Sequence, residues 1–147
     1  MRRVRAWPLV VFPLAVAHAQ NPAPVTASDG WARPCRVGTT CGLYLTLENR
    51  SALPMQVTAI TSPLAARVEL HETMLHNGQA HMMTHGATTI APHSRLEGKP
   101  GKWHVMLIGV RRPLAVGDTV ALTIRVQRAD GRAPATSLAA RAIVRAP

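Results

Sequence analysis

Aromatic side chains are nearly missing from this chain of 147 residues, which has one Phe, one Tyr and three Trp. Acidic residues are also few, seven Asp and Glu against 17 Lys and Arg, for a formal net charge of +10. A basic chain raises the question of nucleic acid, but such surfaces interleave clustered cations with stacking rings. Here the arginines are scattered and the rings are too few, so no nucleic-acid partner is expected. The basic surface would instead favour docking to an acidic protein or to anionic lipid. Cysteine is limited to Cys35 and Cys41. Their spacing is not C-x-x-C, and in an oxidising compartment such a pair most often forms a structural disulfide. That bridge would close the small loop from Arg36 to Thr40, with a redox or metal-binding pair as the alternative. Beyond the N-terminus no apolar run approaches the roughly 20 residues needed to span a bilayer, so no stable membrane insertion is expected.

The first nineteen residues read as a signal peptide rather than as part of a core. Arg2, Arg3 and Arg5 form a basic start, Trp7 to Val16 an apolar stretch, and Ala17-His18-Ala19 an A-x-A cleavage signal. No Cys follows the cleavage site, so a lipid anchor is not expected. Without those three arginines, 14 of the 17 basic residues remain against the 7 acids, a net +7. Residues 20–28 read as a flexible lead-in, and 29–147 as one domain outside the cytoplasm.

Long helical periods are missing as well, and period-2 patterns take their place. Leu43, Leu45 and Leu47 alternate with Tyr44, Thr46 and Glu48. Further strands are expected over 57–61, 68–75, 80–85, 88–90, 95–97, 103–110, 120–126 and 139–144, with a loop over 129–137. Val120, Leu122, Ile124 and Val126 share one face. Many short strands with regular turn signals predict an all-β fold, an antiparallel sandwich or barrel.

Histidine and methionine are abundant where other chemistry is sparse. Six His and four Met fall between His71 and Met106. Four of them stand as His71-x10-Met82-x21-His104-x-Met106, two imidazoles and two thioethers with no thiolate. Thioether sulfur favours Cu(I), and imidazole suits copper in either state. His104 and Met106, at i and i+2 of a strand, point to one face. Asn77-Gly78 is the strongest hairpin signal in the chain and suits a two-residue type I′ turn. That turn pairs His76 with Gln79, Met74 with His81 and Thr73 with Met82, leaving His71 diagonal to Met82 on one face. Packing two sheets together would then bring the two pairs to one rim. The same register sends Met74, His76, His81 and Met83 to the other face, a second and weaker copper-collecting surface. Met55 reads as core, His93 as an exposed turn residue, and His85 fits either face.

With these residues in view, the chain resembles the periplasmic copper chaperone family, the PCuAC domain. The four spaced ligands match its motif. So do Val68-Glu69-Leu70-His71-Glu72-Thr73, His104-Val105-Met106-Leu107-Ile108-Gly109-Val110, Arg112-Pro113-Leu114 and Gly117-Asp118-Thr119-Val120. Trp31-Ala32-Arg33 and Leu43 to Asn49 resemble its N-terminal part, so the likeness covers roughly residues 29–127. It implies a cupredoxin-like β-sandwich holding one Cu(I) near its surface through His71, Met82, His104 and Met106; a Greek-key arrangement and a monomer are expected. It also implies delivery to a copper-receiving partner in the periplasm, notably for the copper A centre of cytochrome c oxidase. Two features depart from the family. The Cys35/Cys41 pair is not in its motif, and the C-terminal tail lacks the His and Met of the extra copper-binding arm that some members carry.

Other functions fit less well. Copper storage for tolerance would use the same ligands. An electron-transfer cupredoxin needs a Cys thiolate beside two His, and neither Cys lies near the cluster. A zinc hydrolase would want carboxylate and His around an open water position. Glu72 follows His71, but strand alternation sends it to the opposite face. No nucleophile–base arrangement marks the chain as an enzyme, and a purely structural adhesin-like sandwich would leave the spacing unexplained.

Overall fold

A computed structural model describes residues 23–146. The expected signal peptide, residues 1–19, lies outside them. Ten strands follow in order: β1 (Val25–Ala32), β2 (Cys41–Asn49), β3 (Met55–Thr61), β4 (Ala65–His76), β5 (Gln79–His85), β6 (Thr88–Ile90), β7 (Arg95–Glu97), β8 (Trp103–Val110), β9 (Thr119–Arg128) and β10 (Thr136–Val144). There is no helix among the described residues. The all-β expectation holds, and every strand expected from alternation is present.

Hydrogen bonding runs continuously through the order β5-β4-β8-β2-β1-β10-β9-β3-β6, with β7 added to β2. The pairing is antiparallel except between β1 and β10, which run parallel. One half, β5-β4-β8-β2, faces the other, β10-β9-β3-β6, and β1 joins them. The core between them draws on both. Leu43, Val105 and Leu107 from the first half meet Val120, Leu122, Ile124 and Val126 from the second, all 3% exposed or less. Met55 is core, as expected.

The N-terminal expectation requires correction. Val25 to Ser28 belong to β1 and are not a flexible lead-in, because Val25 to Ser28 pair with Asn49 to Thr46 of β2. Sequence alternation missed this strand because its register breaks between Ser28 and Trp31. At that bulge Asp29 has a φ of 55°. A Cβ on Gly30 would lie 2.1 Å from the Arg141 carbonyl oxygen, so only glycine lets β10 approach here. Strand β10 likewise starts earlier than expected, at Thr136, against Val126 of β9.

Two polar devices hold the loops. Asn49, fully buried, donates from Nδ2 to the Leu53, Ile90 and Ala91 carbonyls and accepts at Oδ1 from the Ser51 amide and hydroxyl. It satisfies the backbone of two loops that have no ladder partner. Cys35 and Cys41 are joined by the expected disulfide, with Cα atoms 6.3 Å apart. The bridged loop is also fixed by reciprocal backbone bonds between Cys35 and Leu114.

Closing so short a loop removes entropy from the unfolded chain worth roughly 2 kcal/mol. A Cys35→Ser/Cys41→Ser protein is therefore expected to keep the fold but unfold at lower urea concentration. Equal midpoints for the two proteins would show that the bridge adds nothing to stability.

Candidate metal centre

Strand β4 is the spine of this region, paired on one side with β5 and on the other with β8. Asn77 and Gly78 have φ of 50° and 75°, the paired positive values of a type I′ turn. The register follows as expected: His76 opposite Gln79, Met74 opposite His81, Thr73 opposite Met82 and His71 opposite Thr84. On the other edge His71 stands opposite His104, and Glu69 opposite Met106. Directly opposed residues share a face, as do residues two apart on one strand. His71, Met82, His104 and Met106 therefore occupy one outer face of three adjacent strands. This differs from the expected rim between two sheets: a single sheet carries all four, with His71 at the centre.

The four are not equally placed. The His71 and His104 rings meet edge to face, with centroids 5.7 Å apart. Met106 is the next residue along that face of β8 and half-buried. Met82 lies diagonally from His71 on the edge strand and is 65% exposed. Its long unbranched side chain must lean back over Thr73 to meet the imidazoles. Among the described residues no group of three or more His, Cys, Asp or Glu is arranged to hold a metal ion. The imidazole pair thus has the two thioethers as its available soft companions.

Acceptor-only partners fix both imidazole tautomers. His71 Nε2 is 2.8 Å from Glu69 Oε2 and 3.1 Å from the Thr84 hydroxyl. A carboxylate only accepts, so Nε2 carries the proton and donates it. The lone pair is left on Nδ1, which is buried and has no hydrogen-bond partner. His104 Nδ1 lies 3.1 Å from the Lys102 carbonyl oxygen, which leaves its lone pair on Nε2. The same carbonyl accepts from the Thr73 amide at 3.0 Å. One oxygen thus ties β4 to β8 and orients His104. The hydrogen bond from His71 is the main cause that holds the Glu69 carboxyl below its ordinary value. Burial opposes it, and Arg67, 2.6 Å away, adds to it. Carboxylate and carbonyl partners of this kind orient imidazoles for ligation. A buried, orphaned ring nitrogen fits a soft cation and is costly without one.

Sequence reasoning missed the aromatic wall beside these groups. Trp31 lies opposite Tyr44 on paired strands, and their rings stack with centroids 4.4 Å apart. The Tyr44 ring is 6.3 Å from that of His104. Tyr44 and His104 are buried to 8% and 7% exposure although both point away from the core. The alternation of 43–47 marked Tyr44 as an outward residue, but nothing local indicated that Trp31 would cover it. His85 is settled on the opposite face, across from Leu70. There it packs on Trp103 with centroids 4.6 Å apart, and its Nε2 is 3.2 Å from Glu72. Glu72 shares that inner side, as alternation required. His93 is exposed at its turn, with a φ of 52°.

Nitrogen-15 correlation spectra of the imidazoles at neutral pH should show His71 as the Nε2–H tautomer and His104 as the Nδ1–H tautomer. Glu69→Ala should loosen the first and leave the second unchanged. The reverse tautomers in the parent protein would refute the assignment.

Comparison with known proteins bears on the family and the fold. A family model described as "Putative lipoprotein LpqE-like" matches residues 25–134. "Putative lipoprotein Lxx21020" of Leifsonia xyli subsp. xyli is 31% identical over 114 residues, 74% of this chain and 68% of that protein. The solution structure of CuI-DR1885 from Deinococcus radiodurans is 32% identical, with a TM-score of 0.58 over 84% of this chain and 79% of that one. The copper-bound PCuAC domain from PmoF2 superimposes with a TM-score of 0.67 at 22% identity, over 88% of this chain and 99% of the domain. This second likeness is one of fold, the expected all-β, cupredoxin-like architecture. A family match from the start of β1 almost to β10, a relative covered over two thirds of its length and a shared sandwich lead to one conclusion: the chain belongs to the LpqE-like family and has the fold of PCuAC domains.

Proposed function

We infer that this protein is a copper chaperone that binds one Cu(I) on its outer face through His71, Met82, His104 and Met106. The carrying observation is that two imidazoles and two thioethers share one face of β5-β4-β8, with the His71 Nδ1 lone pair buried and unpartnered. Two nitrogens and two thioether sulfurs form a soft donor set, which suits Cu(I). The copper named in the descriptions of the CuI-DR1885 and PmoF2 structures supports the same cargo. His71 would bind through Nδ1 and His104 through Nε2, with Met106 beside them and Met82 closing from the edge.

A carrier must release its ion. Met82, largely exposed, offers the donor that a partner's ligand replaces first. Transfer then proceeds by exchange of one ligand at a time, with the oriented imidazoles holding the ion until the partner has engaged it. The recipient is a copper-receiving protein outside the cytoplasm, and we assign it to assembly of the copper A site of cytochrome c oxidase on the strength of the motif. The family's lipoprotein description, the Cys35–Cys41 disulfide and the A-x-A signal support work in the periplasm. A blue-copper electron-transfer role is disfavoured because both cysteines of the chain are in that disulfide.

Titration of residues 20–147 with Cu(I) against a chromophoric chelator should show one tight equivalent. Met82→Ala/Met106→Ala should weaken it by at least about a hundredfold, because half of the soft donor set is gone. Tight binding indifferent to both thioethers would refute the ligand set. Mixing the loaded protein with a soluble copper A domain should build that domain's visible absorption. Retention of all copper by the carrier would refute the recipient while leaving the ligand set intact.

A further inference from the structure

The β4–β5 hairpin carries a second collection of soft side chains on its inner face. Met74 and His81 are directly opposed, and His76 and Met83 are their diagonal neighbours. The His76 and His81 rings stand edge to face, with centroids 6.4 Å apart. These four side chains and Leu75 line one shallow open depression of about 290 Å³. Met74 is 46% and Met83 49% exposed, far more than methionines used as core filler such as Met55. Neither is among the residues that pack against the core. Strand β8 begins at Trp103, opposite Glu72, so Met74 to His76 and Gln79 to His81 extend beyond it as a two-stranded ribbon. Core packing therefore does not explain Met74, which lies in that ribbon, and the half-exposed Met83, its diagonal neighbour, matches the same two imidazoles.

We propose that Met74, His76, His81 and Met83 form a second site for Cu(I), separated from the first by the thickness of the sheet. Its donors repeat the composition of the outer set, two imidazoles and two thioethers, on the same pair of strands. Its affinity is lower for a structural reason. His71 and His104 are held by Glu69 and Lys102, whereas His76 and His81 are exposed side chains at the ribbon's end. Rings that must be ordered on binding give weaker sites. Glu72 lies opposite Met83 on this face and places a carboxylate where it offsets the charge of the incoming cation. The site is a place to collect copper before the outer set takes it, or to hold a second ion when copper is abundant.

Cu(I) stoichiometry, measured by chelator competition and by native mass spectrometry, tests this directly. The parent protein should take two equivalents, one tight and one weaker. His76→Ala/His81→Ala should keep the tight equivalent and lose the weaker one, with an unchanged circular dichroism spectrum because both residues are exposed. Met82→Ala/Met106→Ala should do the opposite, losing the tight equivalent and keeping the weaker one. A parent protein that takes only one equivalent, or a second equivalent that survives in His76→Ala/His81→Ala, would overturn the second site whatever the fate of the first. Failure of the outer set appears separately, as tight binding undiminished in Met82→Ala/Met106→Ala.

Discussion

The pairing of His71 with His104 across β4 and β8 is the constraint on which the outer face depends. Side chains alternate along a strand, so slipping β4 by one residue against either neighbour would exchange its two faces. Two local devices fix the register. The Asn77-Gly78 turn sets β5 against β4, and the Lys102 carbonyl, accepting from both Thr73 and His104, sets β8. The core then commits the rest, because Leu70, Val105 and Leu107 can be buried only if His71, His104 and Met106 face outward.

Order falls off across that face from β2 toward β5. Next to β2, the Trp31–Tyr44 stack covers His104 and shields it from water. At the centre His71 is anchored by Glu69 and half-buried. At the edge Met82 is mostly in solvent. Shielding strengthens the electrostatics of the buried imidazole, while exposure would ease ligand exchange at the thioether of the proposed set. The Cys35–Cys41 bridge stabilises the ordered side, where Cys41 pairs with Leu107 and Gly42 with Met106.

Much of this was legible in the sequence because its causes are local. Alternation at 43–47 and 120–126 revealed buried faces. Asn-Gly gave the turn and hence every pair in the hairpin, and His104-x-Met106 gave a shared face. What was not legible depends on distant partners. Strand β1 hides behind its bulge at Asp29 and Gly30, and only contact with β10 explains the glycine. Alternation alone points Tyr44 to solvent, and only Trp31 from a distant strand covers it. The outer face was expected at a rim between two sheets because no local signal states that β4 and β8 are neighbours. The ring nitrogen left free on His71 depends on Glu69 and Thr84 at once, which no spacing encodes.

The end of the β4–β5 hairpin, beyond the reach of β8, has a consequence for how the protein opens. A two-stranded ribbon with no core against either face is marginal on its own, and its local opening costs far less than global unfolding. The boundary falls near Thr73 and Met82, so the outermost residue of the proposed ligand set sits where the three-stranded sheet gives way to two strands. Breathing of that end would expose or withdraw Met82 of the proposed set without disturbing the imidazoles, which lie inside the cooperative unit. Exchange at the proposed edge ligand would thereby be uncoupled from the integrity of the fold.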